Sequence, residues 1–323
     1  MNKKLIVIGL ALVALLLLWS GISIYPDWLW FENLGFSPVF WTMLLSKFGF
    51  GFIIWFILII ILSLNLYTAN RLNPATGSGA EGQIAGALFA QLGLSGQALK
   101  SLFIAFLLFL SFFMAAKGAA NWDLLLRYLY QQPFGNADPI FSRDIGFYLF
   151  SLPFYTFVQS GLLILFVLAA LVTMGWYLKN GALQIEGDFG QEEGVPTSLP
   201  KISIAPKAKM HLIFFGGIIV LLLSWGYYLK MYGLLYSAQG PAFGASYTDV
   251  HIRVLAYKVL IVVSFGFAVV LFFNAFNYRA KLILVAAGSW IGAVLLFSFL
   301  LPLLVQKFVV KPNELAKESP YIA

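Results

Sequence analysis

Three polar residues, Asp249, His251 and Arg253, alternate along the chain just before a long apolar stretch. An acid, an imidazole and a guanidinium in such proximity are groups that transfer protons and stabilise charge in active sites. A simpler role also fits, because Ser246 stands three residues before Asp249, and Ser-x-x-Asp ahead of an apolar run is typical of a helix-capping box. We favour the cap, in which both side chains bind free backbone N–H groups of the first helical turn.

The spacing within that helix also indicates a structural role. Asp249 and Arg253 are four positions apart and can pair on the helix surface, whereas His251 points elsewhere. The alternative is that these residues bind a ligand or handle protons. The only other histidine is His211, which we expect at the opposite face of the membrane, so the two imidazoles are not predicted to share a metal ion.

Other catalytic signatures are missing from the sequence. The chain has no Cys, which removes thiol chemistry, disulfides and Cys-based metal sites. No G-x-S-x-G elbow accompanies the Ser, His and Asp that a hydrolase triad would need. We therefore predict no catalytic, cofactor-binding or metal-ligating residue and no cofactor, and an enzyme is the least favoured function.

The composition is that of a membrane protein. Of the 323 residues, 61% are hydrophobic and only 10% are charged, whereas a soluble domain carries about 25% charged residues. The mean hydropathy is +0.89, which argues against a water-soluble fold. The net charge is +7, but no run of basic residues exceeds two. We therefore expect anionic membrane lipid, and not nucleic acid, as a partner.

Seven apolar segments are long enough to cross a bilayer, since about 20 helical residues span its hydrocarbon core. They predict an all-α fold, a polytopic membrane helix bundle of about seven transmembrane helices with interfacial helices in the outer loops. The first segment could instead be a signal peptide, but its apolar stretch is long and lacks a clear cleavage site. The predicted spans are 5–25, 39–67, 100–117, 152–178, 210–230, 254–277 and 282–305.

Basic residues near the spans predict the orientation, because cytoplasmic loops are enriched in Lys and Arg. Lys3 and Lys4 precede the first span, and Arg279 and Lys281 lie in the short turn before the last span. Both pairs predict a cytoplasmic N-terminus in the cytoplasmic (inner) membrane. With seven spans, the C-terminus then lies outside.

The loops assigned to the outer side are rich in Trp, Tyr and Phe, side chains that settle at headgroup depth. Within them, residues 121–131 carry apolar side chains at helical spacing and predict a short interfacial helix. On the inner side, two alternating runs within residues 180–209 predict a small β-hairpin. The aromatic outer loops comprise residues 25–41, 121–155 and 231–253.

Two lysines fall inside predicted spans, where a charge is costly and normally faces a partner or water. Lys47 lies roughly 13 Å along its helix from the outer end, whereas Lys258 is nearer the surface and can snorkel. We predict that Lys47 pairs with an outer carboxylate at the floor of a cavity; the alternative is that it only joins two helices. The carboxylate candidates are Asp249, Asp144 and Asp27, and the candidate functional cluster is Lys47, Asp144, Asp249, His251, Arg253 and Lys258.

With these residues in view, the chain resembles the UPF0182 family of bacterial and archaeal multi-pass membrane proteins, whose members are functionally uncharacterised. The resemblance rests on "DWLWFENLGFSPVFW", "DPIFSRDIGFYLFSLPFY", "YGLLYSAQGPAFGASYTDVHIR" and "PNELAKESPYI". It implies about seven membrane helices followed by a large extracytoplasmic region, and it assigns no catalytic residue. The expected organisation is a transmembrane domain, 1–310, and the start of an extracytoplasmic segment, 311–323, cut short relative to the family.

Two functions of different classes fit these observations. We favour a non-enzymatic membrane scaffold or anchor, whose aromatic outer face engages an extracytoplasmic domain, a protein partner or lipid. The alternative is a transporter or lipid-handling protein with an outward-facing cavity near Lys47. Lipid enrichment or a bound partner favours the scaffold, whereas movement of a solute across a membrane favours the transporter.

Overall fold

The structure is a computed structural model of the chain. Nearly all of the predicted first span, 5–25, lies outside the residues that it describes. The described residues are 21–22, 24–73, 96–186, 201–238 and 243–321.

Helices make up most of these residues, and one pair of short strands interrupts them. Helices α5 and α7 each begin with a π-helical turn, Phe147–Ser151 and Asp249–Arg253. The elements are α1 (24–33), α2 (Ser37–Leu72), α3 (Gly96–Ala119), α4 (Trp122–Leu129), α5 (Phe147–Lys179), β1 (Leu183–Glu186), β2 (Lys201–Ile204), α6 (Pro206–Tyr236), α7 (Asp249–Phe276) and α8 (Ala280–Tyr321).

Five helices are long and apolar enough to cross a membrane, namely α2, α5, α6, α7 and α8. They coincide with five of the seven predicted spans. The predicted span at 100–117 lies in α3, whose apolar stretch among the described residues is the shorter segment Leu107–Ala119. The described residues thus give five candidate spans, and the predicted total of seven is not confirmed. Helices that are apolar on all sides still indicate a membrane protein.

The chain divides into two compact units. The first, Met1–Ile57 with Leu110–Leu126, includes the beginning of α2 and the end of α3. A methyl group added at Gly51 would lie 2.8 Å from the Cβ of Ala119, so the two helix backbones approach each other closely here. Small residues permit such contact in membrane helices.

The second unit is Leu58–Phe109 with Arg127–Ala323. Its centre is α6, which packs between α5 and α7. Gln159 of α5 donates a hydrogen bond to the Leu222 carbonyl of α6 over 2.9 Å, and Ser224 of α6 donates to the Ile261 carbonyl of α7 over 2.9 Å. Because lipid offers no alternative partner, these bonds link neighbouring helices where apolar contact alone gives little specificity.

One end of the second unit carries the predicted β-hairpin. Strand β1 pairs with β2 in antiparallel register, with Leu183 opposite Ile204, and this confirms the prediction from the alternating runs. Leu183 is buried against Tyr177 and Ala208, so the hairpin packs onto the last turns of α5 and the first turn of α6.

The opposite end of this unit is aromatic. The start of α5, the end of α6 and the start of α7 meet there, and we call this region the aromatic end. Its buried residues are Tyr148, Leu152, Leu229, Met231 and Tyr232, with Phe141, Phe147, Tyr155, Trp225, Leu235, Val254 and Tyr257 packed against them.

The close approach of α2 and α3 gives a test of packing. Gly51→Val is expected to lower the melting temperature of the detergent-solubilised protein, because overpacking a tight contact costs about 1–3 kcal/mol. Gly49→Val is the matched control, since no described atom lies within 4 Å of a methyl group added at Gly49. Equal melting temperatures for the two variants would contradict this helix contact.

Candidate functional site

The predicted capping box is present at the start of α7. The Ser246 backbone N–H and hydroxyl both donate to one carboxylate oxygen of Asp249, over 3.1 and 2.9 Å. In return, the Asp249 N–H points at the Ser246 hydroxyl oxygen over 3.4 Å. The two residues therefore satisfy each other's backbone donors, as the sequence spacing predicted.

The predicted pair of Asp249 and Arg253 also forms, with 2.9 Å between the Asp249 Oδ1 and the Arg253 Nη1. Its environment differs from the prediction, because Asp249 is fully buried and the Arg253 side chain is 22% exposed. A buried carboxylate is costly without partners. The hydrogen bonds from Ser246 and the ion pair with Arg253 supply them, so Asp249 fixes the first turns of α7 instead of lying on the helix surface.

A second acid reaches the same helix start from the far end of α8. Glu318 is 1% exposed, and its Oε2 accepts the Tyr247 N–H over 3.2 Å. The next residue along, Thr248, donates its hydroxyl to the side-chain oxygen of Gln306, which lies earlier on α8. Two segments that lie 71 residues apart in the sequence are thereby held together.

His251 takes part in the same contact through its exposed ring. Its Nε2 lies 3.3 Å from the Tyr321 hydroxyl, and its ring stands edge-on to Tyr247 with 4.3 Å between ring centres. The Lys317 ammonium lies 5.0 Å from the centre of the Tyr247 ring. We call this contact the terminal clamp; it comprises Ser246, Tyr247, Thr248, Asp249 and His251 at the start of α7, and Gln306, Lys317, Glu318 and Tyr321 at the end of α8.

Asp144 organises the loop before α5. Its carboxylate accepts the backbone N–H groups of Phe134, Gly135 and Gly146 over 3.1, 2.8 and 2.7 Å. The hydrogen bond from Phe134, followed by those from Gly146 and Gly135, lowers the pKa of Asp144 below its ordinary value. This candidate site residue therefore has a clear structural role in its own loop.

Asp138 is a second anchor of this loop, and the sequence reasoning missed it. Its carboxylate accepts the backbone N–H groups of Ile140, Phe141 and Arg143, and also the Tyr148 hydroxyl over 2.7 Å. Burial alone would raise the pKa of Asp138, but these four hydrogen bonds outweigh it and lower the pKa. The available signal was an Asp two and three residues ahead of the N–H groups that it binds, which is the spacing of an Asx turn.

The two candidate lysines lie on exposed helix surfaces. Lys47 belongs to the first unit, on α2, and Lys258 lies on α7 in the second unit. The carboxylates proposed for Lys47 include Asp249 and Asp144, whose contacts within the second unit are those given above. The pairing of Lys47 with an acid stays a prediction.

The hydrogen bonds and the ion pair described above give these polar side chains structural roles. In the part of the chain that the structure describes, no group of three His, Asp or Glu side chains is arranged to hold a metal ion. Glu318 was also missed from the sequence, because a lone acid near the end of α8 does not indicate which distant N–H it will bind. Of the candidate cluster, the structure brings Asp249 and Arg253 together and places His251 beside them in the terminal clamp.

The lowered pKa of Asp138 predicts a loss of stability in acid. Because this pKa is lower in the folded chain, the carboxylate stabilises the fold above roughly pH 4, and the contribution is lost as the pH falls through the lowered value. The melting temperature of the parent protein should therefore drop in this acid range. That of Asp138→Asn should drop less steeply, because the variant already lacks hydrogen bonds to a charged group, each worth about 1.5–3 kcal/mol. Glu314→Gln, at an exposed acid, is the control and should follow the parent protein. Identical acid profiles for Asp138→Asn and the parent would contradict the assigned role.

Comparison with known proteins identifies the family of the chain. Residues 4–323 match the model of the uncharacterised protein family UPF0182. A UPF0182 protein of Sulfurovum sp. (strain NBC37-1) is 33% identical over 328 residues, which cover 100% of this chain and 34% of that protein. A UPF0182 protein of Desulforamulus reducens is also 33% identical, over 100% of this chain and 35% of the relative.

A third relative, the UPF0182 protein of Moorella thermoacetica, is 33% identical over 94% of this chain and 32% of its own length. The chain thus spans about a third of the length of the curated relatives that it matches. No solved structure matches it. The predicted resemblance is confirmed, and the chain belongs to the uncharacterised protein family UPF0182.

Proposed function

We propose that the chain is a non-enzymatic membrane scaffold, whose terminal clamp sets the position at which the polypeptide leaves the helix bundle. The helices would anchor the protein in the membrane. The aromatic end would then face the outside and present an extracytoplasmic region or a protein partner to that side.

The observation that carries this proposal is the buried contact between Glu318 and the Tyr247 N–H. Burying a carboxylate costs several kcal/mol unless hydrogen bonds compensate. Glu318 makes one such bond through Oε2, while its Oε1 is buried with no hydrogen-bond partner among the described residues. The end of α8 is therefore specified by a single bond, which other positions of this segment would lose. A scaffold needs a fixed position at which the polypeptide leaves the helix bundle, whereas a simple membrane anchor does not.

The surroundings of the clamp support the same role. Tyr227 of α6 and Tyr257 of α7 stack with 6.2 Å between ring centres, and Tyr128 stacks on Phe154 at 4.4 Å. Rings with polar tips favour the headgroup region of a bilayer. An exit point among them would lie at the membrane surface, where a following domain or partner is accessible.

A cross-linking experiment tests the clamp. The chain has no Cys, so His251→Cys and Tyr321→Cys give a unique pair that a short bis-maleimide should join in membranes. Adding Glu318→Ala should reduce the cross-linked fraction several-fold, and Glu318→Gln should reduce it less because its amide oxygen still accepts the Tyr247 N–H. Glu314→Ala, at an exposed acid of the same helix, should leave it unchanged. A cross-linked fraction that does not respond to Glu318 would overturn the clamp.

A labelling experiment tests which side the aromatic end faces. Phe243, 75% exposed, precedes α7, and Asn277 follows it. We expect a membrane-impermeant maleimide to label Phe243→Cys in intact cells, and Asn277→Cys only after lysis, because α7 separates the two positions. The reverse pattern would place the aromatic end in the cytoplasm.

A transport assay tests the alternative that the protein is a transporter. Lys47 is a charged, exposed residue within the long apolar helix α2, whose other basic residue, Arg71, lies in its last turn. If the purified protein moves a solute across liposomes and Lys47→Met abolishes that movement while the protein stays folded in detergent, transport replaces the scaffold.

A further inference from the structure

A basic residue that the terminal clamp does not use lies at the aromatic end. Arg143 is exposed in the loop before α5. Its guanidinium carbon lies 5.6 Å from the centre of the Phe147 ring and 6.0 Å from that of the Tyr232 ring. Among the residues that the structure describes, Arg143 has no ion pair with a carboxylate. Its guanidinium instead contacts aromatic rings.

Two tyrosine hydroxyls stand beside this charge. Tyr228 and Tyr232 are one turn apart on α6, and the Tyr232 hydroxyl donates to that of Tyr228 over 3.3 Å. Hydrogen bonding to Tyr232, and more weakly to Tyr228, raises the pKa of Arg143 above its ordinary value. The guanidinium is permanently charged. Beside it the Tyr228 hydroxyl, which accepts the hydrogen bond from Tyr232, keeps its own O–H to donate to an oxygen ligand.

The loop carboxylate that binds the Arg143 main chain leaves the guanidinium available. Asp138 is 8% exposed, and its two oxygens already accept four hydrogen bonds, one of them from the Arg143 backbone N–H over 2.8 Å. The Asp138 carboxylate holds the loop, and with it the main chain of Arg143, in a fixed position. The side chain is thus placed by the fold and not by an acidic partner.

The ligand chemistry follows from these groups. A guanidinium carries five N–H donors in a planar fork, which matches the oxygens of a phosphate. Contact with aromatic rings reduces the entropy that such a long side chain would lose on binding. At headgroup depth, the phosphates of membrane lipids are the abundant anions.

We propose that Arg143, Tyr228 and Tyr232 form a binding site for the phosphate group of a membrane phospholipid. This site rests on the proposed scaffold function only in that the aromatic end lies at the membrane surface. It would give the scaffold an attachment to the membrane in addition to its helices, on the loop that Asp138 and Asp144 hold.

Binding measurements on the full chain in neutral detergent test the site. The probes are a short-chain phosphatidylglycerol and inorganic phosphate. Arg143→Gln should weaken phosphatidylglycerol binding roughly tenfold to a hundredfold, the range for losing hydrogen bonds to a charged group. Arg143→Lys keeps the charge but lacks the fork and should recover part of the affinity, and Tyr232→Phe should weaken binding by a smaller factor.

The control is Lys230→Gln, which removes one exposed charge beside the Tyr227 ring on the same helix and should leave the affinity unchanged. Phosphatidylglycerol binding that inorganic phosphate does not compete away supports the lipid as the source. Full competition by inorganic phosphate, or equal losses in Arg143→Gln and Lys230→Gln, would overturn the lipid site. The cross-link between His251→Cys and Tyr321→Cys should persist when Arg143→Gln is added. Failure of the lipid site is therefore distinguishable from failure of the clamp.

Discussion

Backbone N–H groups that leave water must find acceptors, and this requirement organises the described polar residues of the chain. Asp249 accepts the N–H of Ser246, and Glu318 accepts that of Tyr247, at the start of one long apolar helix. Asp138 does the same for three N–H groups ahead of another. The sequence has only 13 acidic residues. These three are buried, and each binds backbone N–H groups at or just before the start of a helix.

This use of acids explains why two helix starts combine polar anchors with π-helical turns. A π-turn adds a residue to the helical turn and is often found at functional positions. In Asp249–Arg253 it coincides with the buried ion pair, and in Phe147–Ser151 it begins three residues after Asp144. At both places a carboxylate binds backbone N–H groups just before the π-helical turn.

The same contacts hold together two distant segments of this chain. The curated relatives are about three times the length of this chain, and the clamp holds the end of α8 against the start of α7. Aromatic rings surround the neighbouring helix ends, and Arg143 lies among them. On our proposal, a region after α8 would begin from a fixed point at the level of lipid headgroups.

Features that depend on the order of neighbouring residues could be predicted from the sequence alone. Apolar length predicted the spans 39–67, 152–178, 210–230, 254–277 and 282–305, residue alternation predicted the β-hairpin, and the Ser-x-x-Asp spacing predicted the capping box. Each depends on neighbours within a few positions, which a linear pattern records. The sequence also placed Asp249 and Arg253 four apart, which was enough to pair them.

The depth at which that pair is buried, and the residues that complete its surroundings, depend on how the helices pack. Glu318 meets Tyr247 across 71 residues, and Arg143, in the loop before α5, meets Tyr232 on α6. No spacing rule encodes such contacts, because they depend on which faces of α5, α6, α7 and α8 pack together. In a chain that is apolar on nearly every helix face, the hydrophobic pattern does not select one face over another, so the polar contacts between distant segments become visible only once the helices are packed.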